Sequence, residues 1–120
     1  MTQRVTATYL IATLQDARAR TLELVNDLDQ EQLMGPKLPG VNPLRWEIGH
    51  IAYFYEFFIL RSLYGHDSIL GLKADELYDS IAVAHDTRWD LPLLSMTETL
   101  AYMNDDLEKV CAHLVTYVRM

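Results

Sequence analysis

Hydrophobic residues recur at three- and four-residue steps in three long segments of the chain, a spacing typical of amphipathic helices. The first segment runs from Thr6 to Leu28 and contains neither proline nor glycine. After it, Asp29 and Gln32 form a capping-box pattern, which predicts a short helix over Gln30 to Met34. Glycines and prolines then break the chain between residues 35 and 40.

The second long segment has the clearest start and end signals. We expect Asn42 to cap this helix and Pro43 to occupy its first position. We expect the helix to end at Tyr64, because Gly65 can adopt the left-handed conformation that commonly follows a helix. The segment is apolar over most of its surface, so it needs neighbours on several sides.

The third long helix is predicted to start at Ser95, where Glu98 completes another capping box, and to continue to about Val118. Before it come a predicted short helix at 74–84 and a polar, aromatic loop at 84–92. Connections this long tend to be functional or to cover the core. No segment has the pattern of a strand, so we predict an all-α, up-down helical bundle formed by residues 1–120 as a single domain.

Three long helices in one chain leave the second helix short of neighbours. We therefore expect dimerisation to complete a four-helix core, with each copy of a homodimer covering the exposed second and third helices of the other. A small-molecule ligand is a further possible partner.

Composition and charge narrow the classes of partner. The net charge of −7, without a cluster of Lys or Arg, argues against nucleic acid and against an anionic membrane surface. No apolar run reaches the ~18 residues of a membrane span, and the N-terminus lacks the apolar core of a secretion signal. We expect a cytoplasmic protein. The single Cys111 excludes an intrachain disulfide and a CxxC motif.

The most informative candidate for chemistry is His50, in the middle of the second helix. Trp46 and Tyr53 are its neighbours at helical spacing, on an aromatic and mostly apolar surface. One interpretation is a core histidine bonded to a carbonyl or carboxylate, with Glu47 as a possible partner of its second ring nitrogen. The other is a metal ligand that needs partners, because a catalytic site takes about three protein ligands and an open position.

The remaining candidates offer no complete site. We expect His66, His113, Asp105 and Asp106 to be solvated, and Cys111 to be a buried, inert thiol. One interpretation of His85 is that its side chain packs the long loop against the bundle. The other is that the loop folds back over the end of the bundle and His85 binds a metal. The sequence contains neither HxxxH nor HExxH.

The long loop carries side chains suited to binding a small ligand or a partner surface. The candidates are Tyr78, Arg88 and Trp89, since Trp and Arg often anchor binding sites. The alternative is that the side chain of Trp89 packs the loop against the core, while Arg88 forms an ion pair with Asp86 or Asp90.

Residues 43–56 carry the pattern P-x-x-W-x-x-G-H-x-x-(aromatic)-F-x-E. This segment resembles the DinB-like helical domain at the N-terminus of ergothioneine- and selenoneine-type sulfoxide synthases. Residues 74–80 and 84–92 are similar to the loop that follows in those enzymes, and Leu100–Met103 to the start of their third helix. The resemblance covers residues 8 to 114. It implies a helical bundle and a non-haem iron held by three histidines, of which the first maps onto His50.

The resemblance also implies parts that we do not find before Met120. Those enzymes carry their other two histidines as HxxxH on a fourth helix, followed by a C-terminal domain resembling formylglycine-generating enzymes. We therefore expect a truncated or standalone module with an incomplete metal site, not catalytically competent alone. The alternative is a metal-dependent enzyme or subunit. There, His50 joins His85 or a histidine from another chain to bind Fe(II), Ni or Zn and form a C–S bond on a histidine derivative.

Overall fold

The computed structural model describes residues 5–118, and over that range it consists of helices, turns and loops without a strand. The all-α prediction is confirmed. The elements in chain order are α1 (Ala7–Val25), α2 (Gln30–Met34), α3 (Leu44–Tyr55) with a π-helical continuation (Glu56–Arg61), α4 (Lys73–Tyr78), a 3-10 turn (His85–Thr87) and α5 (Met96–Val118). No helix in this range is long and apolar enough to cross a membrane.

Two predicted capping boxes are present. At α2, the side chain of Asp29 accepts from the backbone N–H of Gln32, while the Gln32 side chain accepts from the backbone N–H of Asp29. Ser95 and Glu98 exchange the equivalent pair of bonds at the start of α5. These bonds satisfy N–H groups that have no partner inside the helix, which is why both helices begin where the sequence predicts.

The predicted start of the second long helix was wrong by one position. Pro43 is the cap of α3, without a side-chain bond, and the helix begins at Leu44. The amide of Asn42 is used elsewhere, donating to Glu47 and accepting from the guanidinium of Arg88. Bonds to charged partners are stronger than neutral ones, so they outcompete the capping role.

The far end of this helix contains a π-helical stretch that the sequence pattern did not predict. The backbone N–H of Ser62 bonds to the carbonyl of Phe57, five residues earlier, across 3.0 Å. The predicted end at Tyr64 was wrong by three residues, because the helical segment ends at Arg61. Gly65 does adopt the expected left-handed conformation, with φ of 71°, and the N–H of His66 reaches back to the carbonyl of Leu60.

The short helix predicted at 74–84 is shorter than expected and spans Lys73–Tyr78. The side chain of Asp79 accepts from the backbone N–H groups of Ile81 (2.9 Å) and Ala82 (3.3 Å). This local turn offers the backbone an alternative to the helix, and it explains the early stop.

The helix α3 packs against α2, α4 and α5, while α1 packs against α5. The inner face of α3 supplies much of the core. The buried apolar cluster comprises Val25, Leu33, Trp46, Ile48, Ala52, Tyr53, Ala74, Leu77, Tyr78, Leu94, Tyr102 and Met103. On the outer face of the same helical segment, Phe54 and Phe58 remain 52% and 54% exposed. Residues 5–118 of one chain therefore leave an apolar face open, and the homodimer that we expect to cover it stays a prediction.

The expectation that Asp106 is solvated was wrong, because this carboxylate is fully buried in the bundle. It faces Arg18 of α1, which is also buried, with 3.8 Å between the guanidinium Nη2 and the carboxylate Oδ2. Burial, only partly offset by Arg18, raises the pKa of Asp106 to about 8. The buried Glu56 lies close enough to raise it further, and it accepts a 2.6 Å bond from the hydroxyl of Tyr102.

Candidate functional site

Trp46, Gly49 and His50 lie on the face of α3 that contacts the end of α4. The indole Nε1 of Trp46 donates to the carbonyl of Leu77 across 2.7 Å. The ring nitrogen Nδ1 of His50 lies 2.8 Å from the next carbonyl, that of Tyr78. The motif therefore binds two consecutive backbone carbonyls.

Gly49 is required for the close approach of these two helices. A Cβ atom at this position would overlap Cε1 and Cζ of the Tyr78 ring, which is fully buried. A glycine inside a helix costs about 1 kcal/mol relative to alanine. At this position the absence of a side chain allows the Tyr78 ring to pack directly against the backbone of α3.

The contact with Tyr78 determines the tautomer of His50. A carbonyl oxygen can only accept a hydrogen bond, so Nδ1 carries a proton, and in the neutral imidazole Nε2 presents its lone pair. Nε2 has no hydrogen-bond partner among the described residues. Stacking on Trp46, with ring centroids 4.6 Å apart and planes 11° apart, fixes the ring orientation. The predicted partner Glu47 was wrong, because its Oε1 accepts instead from Asn42.

His50 lines a cavity of about 250 Å³ beside the open face of α3. The remaining lining residues are Tyr53, Phe54, Phe57, Phe58, Asp79, Ser80 and Ile81. The wall is therefore largely aromatic, with Asp79 as its only formally charged residue. A lone pair on a fixed imidazole next to a mostly apolar cavity is the arrangement expected of a metal ligand or a hydrogen-bond acceptor for a bound molecule.

Tyr53 borders this cavity, but its hydroxyl is engaged. It donates to Asp75 of α4 across 2.7 Å, and Arg61 donates to the same carboxylate oxygen across 2.9 Å. Burial and the neighbouring carboxylate raise the pKa of Tyr53. Although burial opposes it, the bonds from Tyr53 and Arg61 lower the pKa of Asp75. Tyr53 therefore holds α4 in place.

The loop candidate Arg88 is buried and its donors are mostly used within the chain. Its guanidinium bonds to the carbonyls of Ser80 (3.0 Å) and Val83 (2.8 Å) and to Asn42 (2.9 Å), and it lies 4.1 Å from the centre of the Trp46 ring. The predicted pairing with Asp86 or Asp90 was wrong. Backbone carbonyls, which sequence patterns do not register, take the place of those carboxylates.

The other loop candidates also pack the loop onto the bundle. The indole of Trp89 donates to the carbonyls of Met34 and Gly35, each across 3.2 Å. His85 has both ring nitrogens in contact with the chain, Nε2 with the carbonyl of Val41 (2.6 Å) and Nδ1 with Asp86 (3.2 Å). His85 does not line the cavity of His50, so the structure does not bring these two histidines together.

The expectation that His66 and His113 are solvated was wrong. Their Nε2 atoms lie 2.6 Å apart, and both side chains are partly buried. Forty-seven residues separate them along the chain, so no local pattern could have revealed this pair.

The described residues fit a metal centre only in part. His50 has the donor atom, the tautomer and the fixed ring that a ligand needs. Between residues 5 and 118, however, no group of three or more His, Cys, Asp or Glu side chains is arranged to hold a metal ion.

Comparison with known proteins gives a consistent picture of the family. The chain is 37% identical over 90 residues to a hercynine oxygenase of Mycobacterium tuberculosis, which covers 74% of this chain and 21% of that protein. It is 36% identical over 89 residues to a hercynine oxygenase of Mycolicibacterium smegmatis, with 72% and 20% covered. The chain thus spans about a fifth of the length of these relatives. Residues 13–116 match the DinB superfamily, and the chain belongs to that family.

Proposed function

We propose that this chain is a DinB-like helical module that contributes one ligand, His50, to a metal centre whose other ligands lie outside residues 5–118. The observation that carries the proposal is the 2.8 Å bond from Nδ1 of His50 to the Tyr78 carbonyl. In the neutral imidazole, this bond leaves Nε2 as a fixed lone-pair donor beside an aromatic cavity. The similarity to hercynine oxygenases supports the proposal.

A single imidazole does not retain Fe(II) against water, because a catalytic centre needs about three protein ligands. Among the described residues, no group of three His, Cys, Asp or Glu side chains is arranged to hold a metal ion. We therefore propose that this part of the chain is not a competent enzyme by itself. Iron would supply the oxidative chemistry in a complete centre. Trp46 and Tyr78 hold the imidazole, and the aromatic wall limits access of water.

The open face of α3 suggests how the module is completed. Phe54 and Phe58 are more than half exposed next to the cavity, and their rings contact each other with centroids 4.7 Å apart. Exposed aromatic surface of this kind is unfavourable in water and marks an interface. We propose that a second copy of the chain covers this face in solution.

Light scattering tests the dimer. We expect twice the chain mass for the wild type and the chain mass for Phe54→Glu/Phe58→Glu. Leu24→Glu is the matched control, since Leu24 is 76% exposed on α1. A well-folded wild type with the mass of one chain would contradict the dimer and would leave the role of His50 unaffected.

The alternative function is that of an enzyme subunit, with the missing ligands supplied by another polypeptide. It is favoured by the free Nε2 of His50. Hercynine is the substrate class to test, given the names of the relatives. The reaction would couple a thiol to a ring carbon of this histidine derivative, breaking one C–H and one S–H bond. O₂ would accept the four electrons, with one oxygen atom in the sulfoxide product and the other in water.

A chimera tests the contribution of His50 directly. The matched segment of the Mycobacterium tuberculosis hercynine oxygenase is replaced by the corresponding residues of this chain. We expect the chimera to bind iron, measured by mass spectrometry, and to consume hercynine. His50→Ala should remove both properties, while His85→Ala, the matched control, should retain them. Unchanged iron content in a folded His50→Ala chimera would overturn the proposal.

A further inference from the structure

We propose that His66 and His113 form a two-histidine site for a divalent transition metal such as Zn²⁺. Their Nε2 atoms lie 2.6 Å apart and point at each other from different parts of the chain. The pair shares no lining residue with the cavity of His50. It is therefore a second candidate centre, independent of the proposed function.

The backbone holds His66 in position. Gly65 adopts φ of 71°, which turns the chain back after the π-helical segment. The N–H of His66 then bonds to the carbonyl of Leu60 across 2.8 Å. The imidazole is thus attached to a closed turn at the end of a long helix, which restricts its position before any metal binds.

His113 is held by a different element, the C-terminal half of α5. Its ring stacks on Tyr64, with centroids 3.7 Å apart and planes 10° apart. The ring of His66 meets it edge-on at 70°. Two imidazoles fixed from separate elements, with the same nitrogen directed to a common point, resemble a preorganised pair of ligands.

The distance between the nitrogens suits a metal after a small adjustment. Two Zn–N bonds of about 2.0–2.1 Å at a tetrahedral angle place the nitrogens roughly 3.4 Å apart. The observed 2.6 Å is a hydrogen bond, in which one Nε2 donates a proton to the other. Metal binding would require that proton to move, through solvent, from Nε2 to Nδ1 of the same ring, so that both imidazoles stay neutral and both Nε2 atoms offer a lone pair. Small rotations of the two rings would separate the nitrogens to the distance that a metal needs.

The chemistry of the two ligands suits a transition-metal ion. Imidazole nitrogen is a good ligand for Zn, Cu and Ni. His113 borders an apolar cavity of about 290 Å³, lined also by Leu10, Leu14, Ile59, Leu63, Tyr64, Val110 and Leu114. The chain is also acidic overall, with a net charge of −7. Two protein ligands leave positions for water, so the site would be open to exchange.

Metal at this site would connect the turn after α3 to α5. A ligand that binds only the folded chain stabilises it. The proposal therefore predicts a change in stability as well as binding, and neither depends on catalytic activity.

Calorimetric titration of the tag-free full chain with Zn²⁺, after removal of metal with a chelator, tests the proposal. We expect a single site, weakened at least about tenfold in His66→Asn and in His113→Asn. His85→Asn is the matched control and should bind like the wild type. Zn²⁺ should raise the midpoint of thermal unfolding in the wild type and in this control, but not in His66→Asn or His113→Asn.

Wild-type affinity in His66→Asn or His113→Asn, or loss of binding in His85→Asn, would overturn the proposal. Histidine ¹⁵N resonances give a second measurement that requires no variant to fold. Zn²⁺ should shift the Nε2 signals of His66 and His113 and leave those of His85 unchanged. A shift confined to other histidines, or no shift, would also overturn it.

Discussion

The Nδ1 atom of His50 lies 2.8 Å from the carbonyl oxygen of Tyr78, and this contact joins α3 to α4. Trp46, one turn earlier, bonds to the preceding carbonyl, that of Leu77. The segment that resembles an iron-binding motif therefore has a structural role in this chain whether or not metal is present. It anchors the end of α4 and fixes the imidazole in the same set of contacts.

Gly49→Ala should destabilise the protein by about 1–3 kcal/mol, because the new methyl group overlaps the buried ring of Tyr78. The direction of this change in stability is informative, because a glycine-to-alanine substitution in an unobstructed helix stabilises a protein by about 1 kcal/mol. Chemical denaturation measures the change. A neutral or stabilised Gly49→Ala protein would show that α3 and α4 do not approach as described.

Sequence patterns predicted the elements whose signals are local. Both capping boxes involve residues three positions apart, so Asp29 with Gln32 and Ser95 with Glu98 could be recognised directly. The start of α3 was missed because the side chain of Asn42 bonds to Arg88, 46 residues away. No single-sequence pattern encodes that competition.

Trp46→Phe should lower the free energy of unfolding by about 1–3 kcal/mol, because it leaves the Leu77 carbonyl without its buried donor. Trp89→Phe is the matched control. Its indole is only partly buried and is shared between two carbonyls at 3.2 Å, so its loss should matter less. Denaturation midpoints that are lowered equally in the two variants would argue against a special role for Trp46.

Asp106→Asn should change how stability depends on pH. The folded-state pKa of Asp106 is raised to about 8, above its value in the unfolded chain. Between about pH 4 and pH 8 the folded state then binds the extra proton, so the wild type loses stability as pH rises, by at most roughly 1.4 kcal/mol per unit. This contribution of Asp106 to the free energy of unfolding is fully present below the unfolded-state pKa and is lost above the folded-state pKa.

Asn cannot ionise, so the advantage of Asp106→Asn over the wild type should grow across that window. Urea denaturation at a series of pH values measures it. Asp105→Asn is the matched control, because Asp105 is about two-fifths exposed and pairs with Lys109. A difference between wild type and Asp106→Asn that stays constant from pH 4 to 8 would mean that Asp106 is not buried as a neutral acid.

Asp75→Asn should lower the free energy of unfolding by about 1–3 kcal/mol, because it weakens charge-assisted bonds from Tyr53 and Arg61 in a partly buried site. Asp16→Asn removes a comparable Asp–Arg contact, to Arg20, in which both side chains are more than 60% exposed. The free energy of unfolding of this control variant should fall by less than about 0.5 kcal/mol. Thermal or chemical denaturation of the two variants side by side gives the comparison.

The side-chain contacts that the sequence did not reveal depend on packing between distant elements. Asp106 looked like a solvated helical position, yet Arg18 of α1 faces it in the core. The pairing of His66 with His113 depends on the turn at Gly65. By contrast, the contact between His50 and Trp46 could be predicted, because the two residues lie one turn apart on the same helix.

The iron content of the purified, tag-free chain tests the central proposal most directly. The chain is incubated with Fe(II) without oxygen, desalted and measured by mass spectrometry, alongside His50→Ala. The account predicts substoichiometric iron in the wild type, because residues 5–118 supply His50 without two further ligands beside it. One equivalent of iron in the wild type that disappears in His50→Ala would contradict it.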